Sequence, residues 1–115
     1  MGSLSTHVLD TADGKPAAGV RYSLHRLDDK RMLVCTGITN DQGRTDVPLL
    51  SESDFLVGAY ELTFAVGEYF GKDTADALDT RFLDEIVIRF HLGADEHYHV
   101  PLLVSPWSYT TYRGS

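Results

Sequence analysis

The sequence has one cysteine, four prolines and no long apolar run, and two of these shortages exclude a class of protein. The single thiol, Cys35, cannot form an intrachain disulfide, so the chain is not a small disulfide-stabilised scaffold. No stretch approaches the roughly 20 apolar residues that a membrane-spanning helix needs. The first twenty residues also lack the apolar segment of a secretory signal, so we expect a cytoplasmic protein with no membrane partner.

Positive charge is also scarce, because 10 Lys and Arg stand against 17 Asp and Glu, for a net charge of −7. A nucleic-acid-binding surface needs a basic patch to neutralise phosphates, so we expect no DNA or RNA partner. The sequence contains no Gly-rich phosphate loop, no Cys-x-x-Cys pair and no dinucleotide fingerprint.

The length of 115 residues predicts a single domain over 1–115, and 43% hydrophobic residues argue against disorder. Alternation of apolar and polar residues with a period of two dominates the chain and predicts β-strands. One segment, 71–79, is a candidate for a short helix. The predicted strands are 5–10, 20–27, 32–39, 45–50, 59–66, 84–92, 96–104 and 107–113. Short strands at this spacing favour a single antiparallel β-sandwich.

Two of the predicted strands carry their histidines on one face only. In 5–10, His7 shares a face with Leu9, while Thr6 and Val8 share the other. In 96–104, one face carries Tyr98, Val100, Leu102 and Val104, and the other carries His97, His99, Pro101 and Leu103. If these strands are neighbours in one sheet, their histidines project from one surface. Pro101 cannot donate to a strand ladder, so we expect a bulge or a local edge there.

The histidines support two interpretations from the residues alone. His97 and His99 are two apart on one strand face, and with His7 as a third ligand they could bind zinc. Pairs with this spacing are also common as half-exposed surface histidines, which is the more frequent case. A serine nucleophile at Ser115 is disfavoured, because a nucleophile needs rigid placement and a base within reach.

Three segments carry a family resemblance that covers essentially the whole chain. They are "LSTHVLDTADGKPAAGV" at 4–20, "NDQGRTD" at 40–46 and "HYHVPLLVSPWSYTTYRGS" at 97–115. The sequence resembles the 5-hydroxyisourate hydrolases, the transthyretin-like enzymes of urate breakdown. Transthyretin, a hormone carrier, shares the "VLD" and "SP-aromatic-S-Y" framework but does not end in "YRGS". Trp107 departs from the family, where a smaller residue or tyrosine is familiar, and only local packing depends on it.

The resemblance implies a fold, an assembly and a reaction. The fold is an all-β, transthyretin-like antiparallel β-sandwich of two four-stranded sheets with one short helix. Four copies assemble as a homotetramer whose active sites lie at a subunit interface. The reaction is hydrolysis of 5-hydroxyisourate to 2-oxo-4-hydroxy-4-carboxy-5-ureidoimidazoline, with no metal and no cofactor.

The resemblance also implies roles for motif residues. His7, Arg44, His99 and Ser115 are the expected catalytic residues, and His7, Arg44, Tyr112, Arg113 and Ser115 are the expected substrate-binding residues. His7 and His99 together would position and deprotonate a water molecule, and which one is the base stays open. Two alternatives also stay open, a binding module that carries a ligand without catalysis and a zinc site at the histidines.

Overall fold

In the part of the chain that the structure describes, residues 1–71 and 82–114 of a computed structural model, eight strands form two four-stranded sheets. The strands are β1 Ser3–Asp10, β2 Lys15–Pro16, β3 Arg21–Leu27, β4 Arg31–Ile38, β5 Gly58–Ala65, β6 Glu85–Leu92, β7 His97–Val104 and β8 Tyr109–Thr111. The first sheet has the order β2-β1-β7-β8 and the second has the order β4-β3-β5-β6. The predicted sandwich of two four-stranded sheets is therefore confirmed.

One strand pair departs from the predicted antiparallel arrangement. The strands β1 and β7 are parallel, and their register runs from Ser3 opposite His97 to Asp10 opposite Val104. The other ladders, β1–β2, β3–β4, β3–β5, β5–β6 and β7–β8, are antiparallel. Parallel neighbours need a long connection, and the whole second sheet lies in the chain between these two strands. Alternation in the sequence carries no information about strand direction.

The predicted strand over 45–50 is wrong, because this segment is a loop with isolated contacts to β1. Arg44 bridges to His7 and Leu50 bridges to Leu4, with no continuous ladder between them. Pro48 lies in the middle of the segment and has no N–H to donate to a ladder. The short strand β2 is not among the predicted strands.

The described helix, α1 Val66–Gly71, begins where the sequence predicted the end of a strand. Strand β5 stops at Ala65, and Val66 and Tyr69 turn into the core. The Tyr69 hydroxyl donates to Asp10 Oδ2 at 2.8 Å, which ties the helix to β1. The predicted helix over 71–79 lies outside the described residues except for Gly71. No described helix has the length and apolar character needed to cross a membrane.

The core lies between the sheets and is filled by the predicted inward positions. In β1 and β7 the even-numbered residues are buried, including Leu4, Val8 and Leu102. In the second sheet the buried positions include Leu24 and Phe64. The odd-numbered residues of β1 and the histidines of β7 therefore lie on the outer face of the first sheet. We call this outer face the histidine face because it carries His7 and His99.

Pro101 interrupts the pairing between β7 and β8 without shifting its register. The ladder stops at Leu102 opposite Thr111, and an isolated bridge in the same register joins His99 to Gly114. The pairing of β7 with β1 continues on both sides of Pro101 in the same register. The predicted irregularity therefore takes the form of a gap in the ladder, because proline lacks the N–H that would complete it.

The core assignment predicts a large loss of stability when Leu24, which is fully buried, is replaced by alanine. The lost burial and the remaining cavity should lower the free energy of unfolding by about 2–5 kcal/mol. The matched control is Leu33→Ala in β4, where the leucine is 58% exposed, and it should change stability by less than about 0.5 kcal/mol. Urea denaturation of both variants measures the difference, and equal losses would contradict this core.

Candidate active site

The turn over 40–44 brings Arg44 beside His7. The Asn40 side-chain oxygen accepts hydrogen bonds from the backbone N–H groups of Gln42 and Arg44, at 2.9 and 3.1 Å. Asparagine commonly closes a turn in this way. The Val8 N–H then donates to the Gly43 carbonyl at 2.8 Å, which attaches the turn to β1. Arg44 consequently forms an antiparallel bridge with His7.

The His7 ring is oriented by the same turn. Its Nε2 lies 2.8 Å from the Gln42 carbonyl oxygen. A carbonyl can only accept, so Nε2 carries the proton and the neutral ring keeps its lone pair on Nδ1. Partial burial, followed by the charge of Arg44, lowers the pKa of His7, while the Gln42 hydrogen bond opposes this shift. His7 is therefore a neutral base near pH 7.

His99 lies on β7 next to His7, since its partner on β1 is Ser5, two residues before His7. The Ser5 hydroxyl lies 2.8 Å from His99 Nδ1. Among the described residues, Nε2 of His99 has no hydrogen-bond partner. Burial lowers the pKa of His99, and repulsion from the Arg44 charge and from the protonated forms of His7 and His97 lowers it further. The His99 ring is therefore neutral near pH 7, and Nδ1 is the nitrogen that contacts Ser5.

Arg44 supplies positive charge that no described carboxylate neutralises. Its side chain is exposed, and none of the ion pairs within 1–71 and 82–114 includes it. A cavity of about 160 Å³ lies beside it and is lined by Ser5, Thr6, Arg44, Thr45, Asp46, Val47 and Pro48. A guanidinium is planar and rich in donors, so this one is suited to bind carbonyl or anionic oxygens.

His97 lies on the same face but has a separate partner. Its Nδ1 is 2.6 Å from the Ser3 hydroxyl. Ser3 and His97 are the neighbouring pair to Ser5 and His99 on this face of the β1–β7 ladder. Among the residues that the structure describes, no group of three or more His, Cys, Asp or Glu side chains is placed to hold a metal ion. The zinc alternative with His7, His97 and His99 therefore has no ligand geometry to support it.

The structure places the expected site residues of the C-terminal segment, Tyr112 and Arg113, on opposite faces of the first sheet. Arg113 donates to Glu96 at 2.7 Å and lies over the Tyr98 ring at 4.3 Å, so it is directed away from the histidine face. Tyr112 is 58% exposed and, in the register of the β8 pairing, lies opposite Pro101 on the histidine face. Ser115 lies outside the described residues.

Sequence reasoning missed three residues that orient the site, Ser5, Asn40 and Gln42. The signal for Ser5 was available, because it precedes His7 by two positions and must share its strand face. Asn40 lies in a segment that carries the family resemblance, but the sequence did not single it out as the residue that orders the turn. Gln42 could not be found, because only its backbone oxygen contacts His7.

Comparison with known proteins places the chain among transthyretin-like proteins. The model of the HIUase/Transthyretin family matches residues 4–114. The protein named 5-hydroxyisourate hydrolase from Deinococcus radiodurans is 54% identical over 114 residues, which are 97% of this chain and 95% of that protein. Both matches extend over nearly the whole chain and include the segments that carry His7, Arg44 and His99.

Solved structures share the fold at high similarity. The 5-hydroxyisourate hydrolase of Klebsiella pneumoniae has a TM-score of 0.82 and 36% identity, with all of both chains covered. An (S)-allantoin synthase has a TM-score of 0.89 and 49% identity over 99% of this chain, which spans 44% of that longer protein. Transthyretin from Sparus aurata has a TM-score of 0.85 and 28% identity, with 97% and 96% of the two chains covered.

The docking of the turn predicts that Gly43→Ala weakens the contact between Arg44 and β1. Gly43 has a φ of 73°, which L-residues rarely adopt, and a Cβ there would collide with the Val8 carbonyl oxygen. The matched control is Gly14→Ala, because Gly14 has a φ of 68° but nothing within 4 Å of its Cβ position. We expect Gly43→Ala to cost at least about 1 kcal/mol more than the control. It should also speed hydrogen exchange of the Val8 amide, and equal exchange in both variants would contradict the docking.

Proposed function

We propose that this chain, which belongs to the HIUase/Transthyretin family, hydrolyses 5-hydroxyisourate to 2-oxo-4-hydroxy-4-carboxy-5-ureidoimidazoline in urate degradation. The observation that carries the proposal is that two neutral histidines, His7 and His99, lie beside Arg44, which has no carboxylate partner among the described residues. The 54% identity to a protein named for this hydrolysis supports the same activity.

We propose His99 as the general base that deprotonates water. Its Nε2 has no hydrogen-bond partner in the described part of the chain, and its pKa is lowered, so the ring is unprotonated near pH 7. In the tautomer with the proton on Nδ1, the ring can donate a hydrogen bond to the Ser5 hydroxyl oxygen, and the lone pair is then on Nε2. Water that loses its proton to Nε2 attacks the ring carbonyl of the substrate and forms a tetrahedral intermediate. When this intermediate collapses, the C–N bond of the ring amide breaks and the protonated Nε2 returns the proton to the leaving nitrogen.

His7 and Arg44 complete the proposed mechanism. The free lone pair on Nδ1 of His7 can accept a hydrogen bond from the attacking water and so orient it. The Arg44 guanidinium binds the substrate oxygens and stabilises the negative oxygen that forms when water adds to the carbonyl. Tyr112 is proposed to cover the substrate from the β8 side, and Ser115 retains its expected role from the motif alone. Because it pairs with Glu96, we leave Arg113 outside the proposed set.

A binding module without catalysis is the remaining alternative. A transthyretin from sea bream is solved in complex with thyroxine, and its sequence is 28% identical to this chain. The histidine face of this chain is lined by polar His7, Arg44 and His99, which suit a small polar heterocycle better than a hydrophobic hormone. Hydrolysis is therefore the better supported function.

The test of the function is an ultraviolet assay on freshly generated 5-hydroxyisourate. The protein, treated with a chelator and without added metal, should accelerate the loss of substrate and form one enantiomer of the product. A rate equal to that of buffer alone would reject the hydrolase and favour the binding module.

Replacing either histidine should lower turnover without unfolding the protein. We expect His99→Asn and His7→Asn each to reduce kcat by roughly 10²–10⁴, which is the usual contribution of general acid–base catalysis. Both side chains lie on the histidine face and outside the hydrophobic core, so the thermal unfolding temperature should change little. A variant with the wild-type rate would remove that residue from the mechanism.

The lowered pKa values of His7 and His99 determine the expected pH dependence. The neutral form of each ring is active, so kcat/KM should be constant at and above neutral pH and should fall as the pH drops through the histidine pKa. Since burial and Arg44 lower both pKa values, the midpoint should lie below the ordinary value of 6.5. A midpoint above 6.5 would contradict a histidine base in this environment.

We also propose that the active form is a homotetramer with active sites at a subunit interface. The histidine face carries Leu9 and Leu103, which are only half-buried in the isolated chain, beside the catalytic residues. Such a mixed apolar and histidine surface is better covered by another subunit than by water. Light scattering of the active protein should give four times the chain mass of 12.8 kDa. A fully active monomer would refute the proposal.

A further inference from the structure

We infer that Gly114 and Ser5 are positioning residues that hold the His99 ring from two sides. The inference rests on the proposed function, in which Nε2 of this ring removes a proton from water. Neither residue needs to touch the substrate. Their effect is to define where the ring lies and which of its nitrogens is free.

The space beside His99 requires glycine at position 114. A Cβ at Gly114 would lie 2.8 Å from His99 Cδ2 and 3.4 Å from both Cβ and Cγ of the same residue. Two carbon atoms in van der Waals contact lie about 3.5–4.0 Å apart, so any side chain at 114 would overlap the ring. Gly114 is not among the glycines with positive φ, so the requirement comes from the ring and not from the backbone conformation.

The backbone prevents Gly114 from moving away to relieve such an overlap. Its N–H donates to the His99 carbonyl at 2.7 Å, and the two residues form a bridge. A side chain at 114 must therefore either turn the ring or break this hydrogen bond. Both outcomes disturb the same histidine.

Ser5 holds the ring from the other side. It is the partner of His99 in the β1–β7 register, and its hydroxyl lies 2.8 Å from Nδ1. When Nδ1–H donates to this oxygen, the neutral ring has its lone pair on Nε2. Ser5 thus engages Nδ1 and leaves Nε2 as the free nitrogen, and the proposed mechanism uses the tautomer in which Nδ1–H donates to the hydroxyl oxygen. Gly114 leaves room for the ring orientation in which this hydrogen bond forms.

The first experiment compares Gly114→Ala with Gly93→Ala by ¹⁵N NMR of the histidine rings in the substrate-free protein. Gly93 is the matched control because its Cβ would meet only His91 Nδ1, at an ordinary 3.7 Å. We expect Gly114→Ala to change the ring-nitrogen shifts of His99, identified with His99→Asn, and to lower kcat by about 10²-fold, the scale expected for a base displaced by about 1 Å. Gly93→Ala should leave both unchanged. Unaltered His99 shifts in folded Gly114→Ala would overturn the inference.

The second experiment uses the hydroxyl of Ser5. Ser5→Ala should produce a mixture of His99 tautomers and shift the acid limb of the pH–rate profile, while Ser5→Thr, which keeps a hydroxyl, should restore the wild-type shifts. A purely structural role would lower stability in Ser5→Ala but leave the tautomer unchanged, and that result would reject Ser5 as a positioning residue. The NMR measurements need no turnover, so a protein that fails to hydrolyse 5-hydroxyisourate would reject the proposed function and still test the placement of the ring.

Discussion

The parallel pairing of β1 with β7 is the constraint on which the site depends. Eight residue pairs, from Ser3–His97 to Asp10–Val104, align two strands that lie near opposite ends of the chain. This register places Ser5 against His99 and puts His7 one position further along the same face. A shift of one residue would turn His99 into the core, because side chains alternate between the two faces of a sheet.

The same two strands build the core and the site with alternate residues. Leu4, Val8 and Leu102 are fully buried on the inner side of the first sheet. Their hydrophobic burial fixes the strands, and the histidines on the outer side are held in place at no cost to the core. The proposed site therefore lies largely on two paired strands, and the turn over 40–44 adds Arg44 and the Gln42 carbonyl that orients His7.

Charge on the two outer faces is arranged differently. On the second sheet, Glu61 accepts hydrogen bonds from Arg31 and Arg89, so both of these guanidinium groups have a carboxylate partner. On the histidine face, Arg44 has no carboxylate partner within the described chain, and its charge instead lowers the pKa values of His7 and His99. On a chain of net charge −7, this cation makes the histidine face locally more positive than its surroundings, which favours the approach of a ligand that carries negative or oxygen-rich groups.

The sequence by itself determined the alternating strands, the shared face of Val100, Leu102 and Val104, and the opposite face with His97 and His99. These properties are local, because a period of two fixes the direction of neighbouring side chains before any strand finds its partner. The motif residues also indicated His7, Arg44 and His99 as members of one site.

Only the tertiary structure decided which strands pair, in which direction and in which register. It turned the expected strand over 45–50 into a loop, and it assigned Arg113 to Glu96 and Tyr98 instead of the site. It also selected Ser5 and Gly114 as the neighbours of His99. These outcomes depend on contacts between residues far apart in the chain, where packing and backbone hydrogen bonding outweigh any preference that a short stretch of sequence can express.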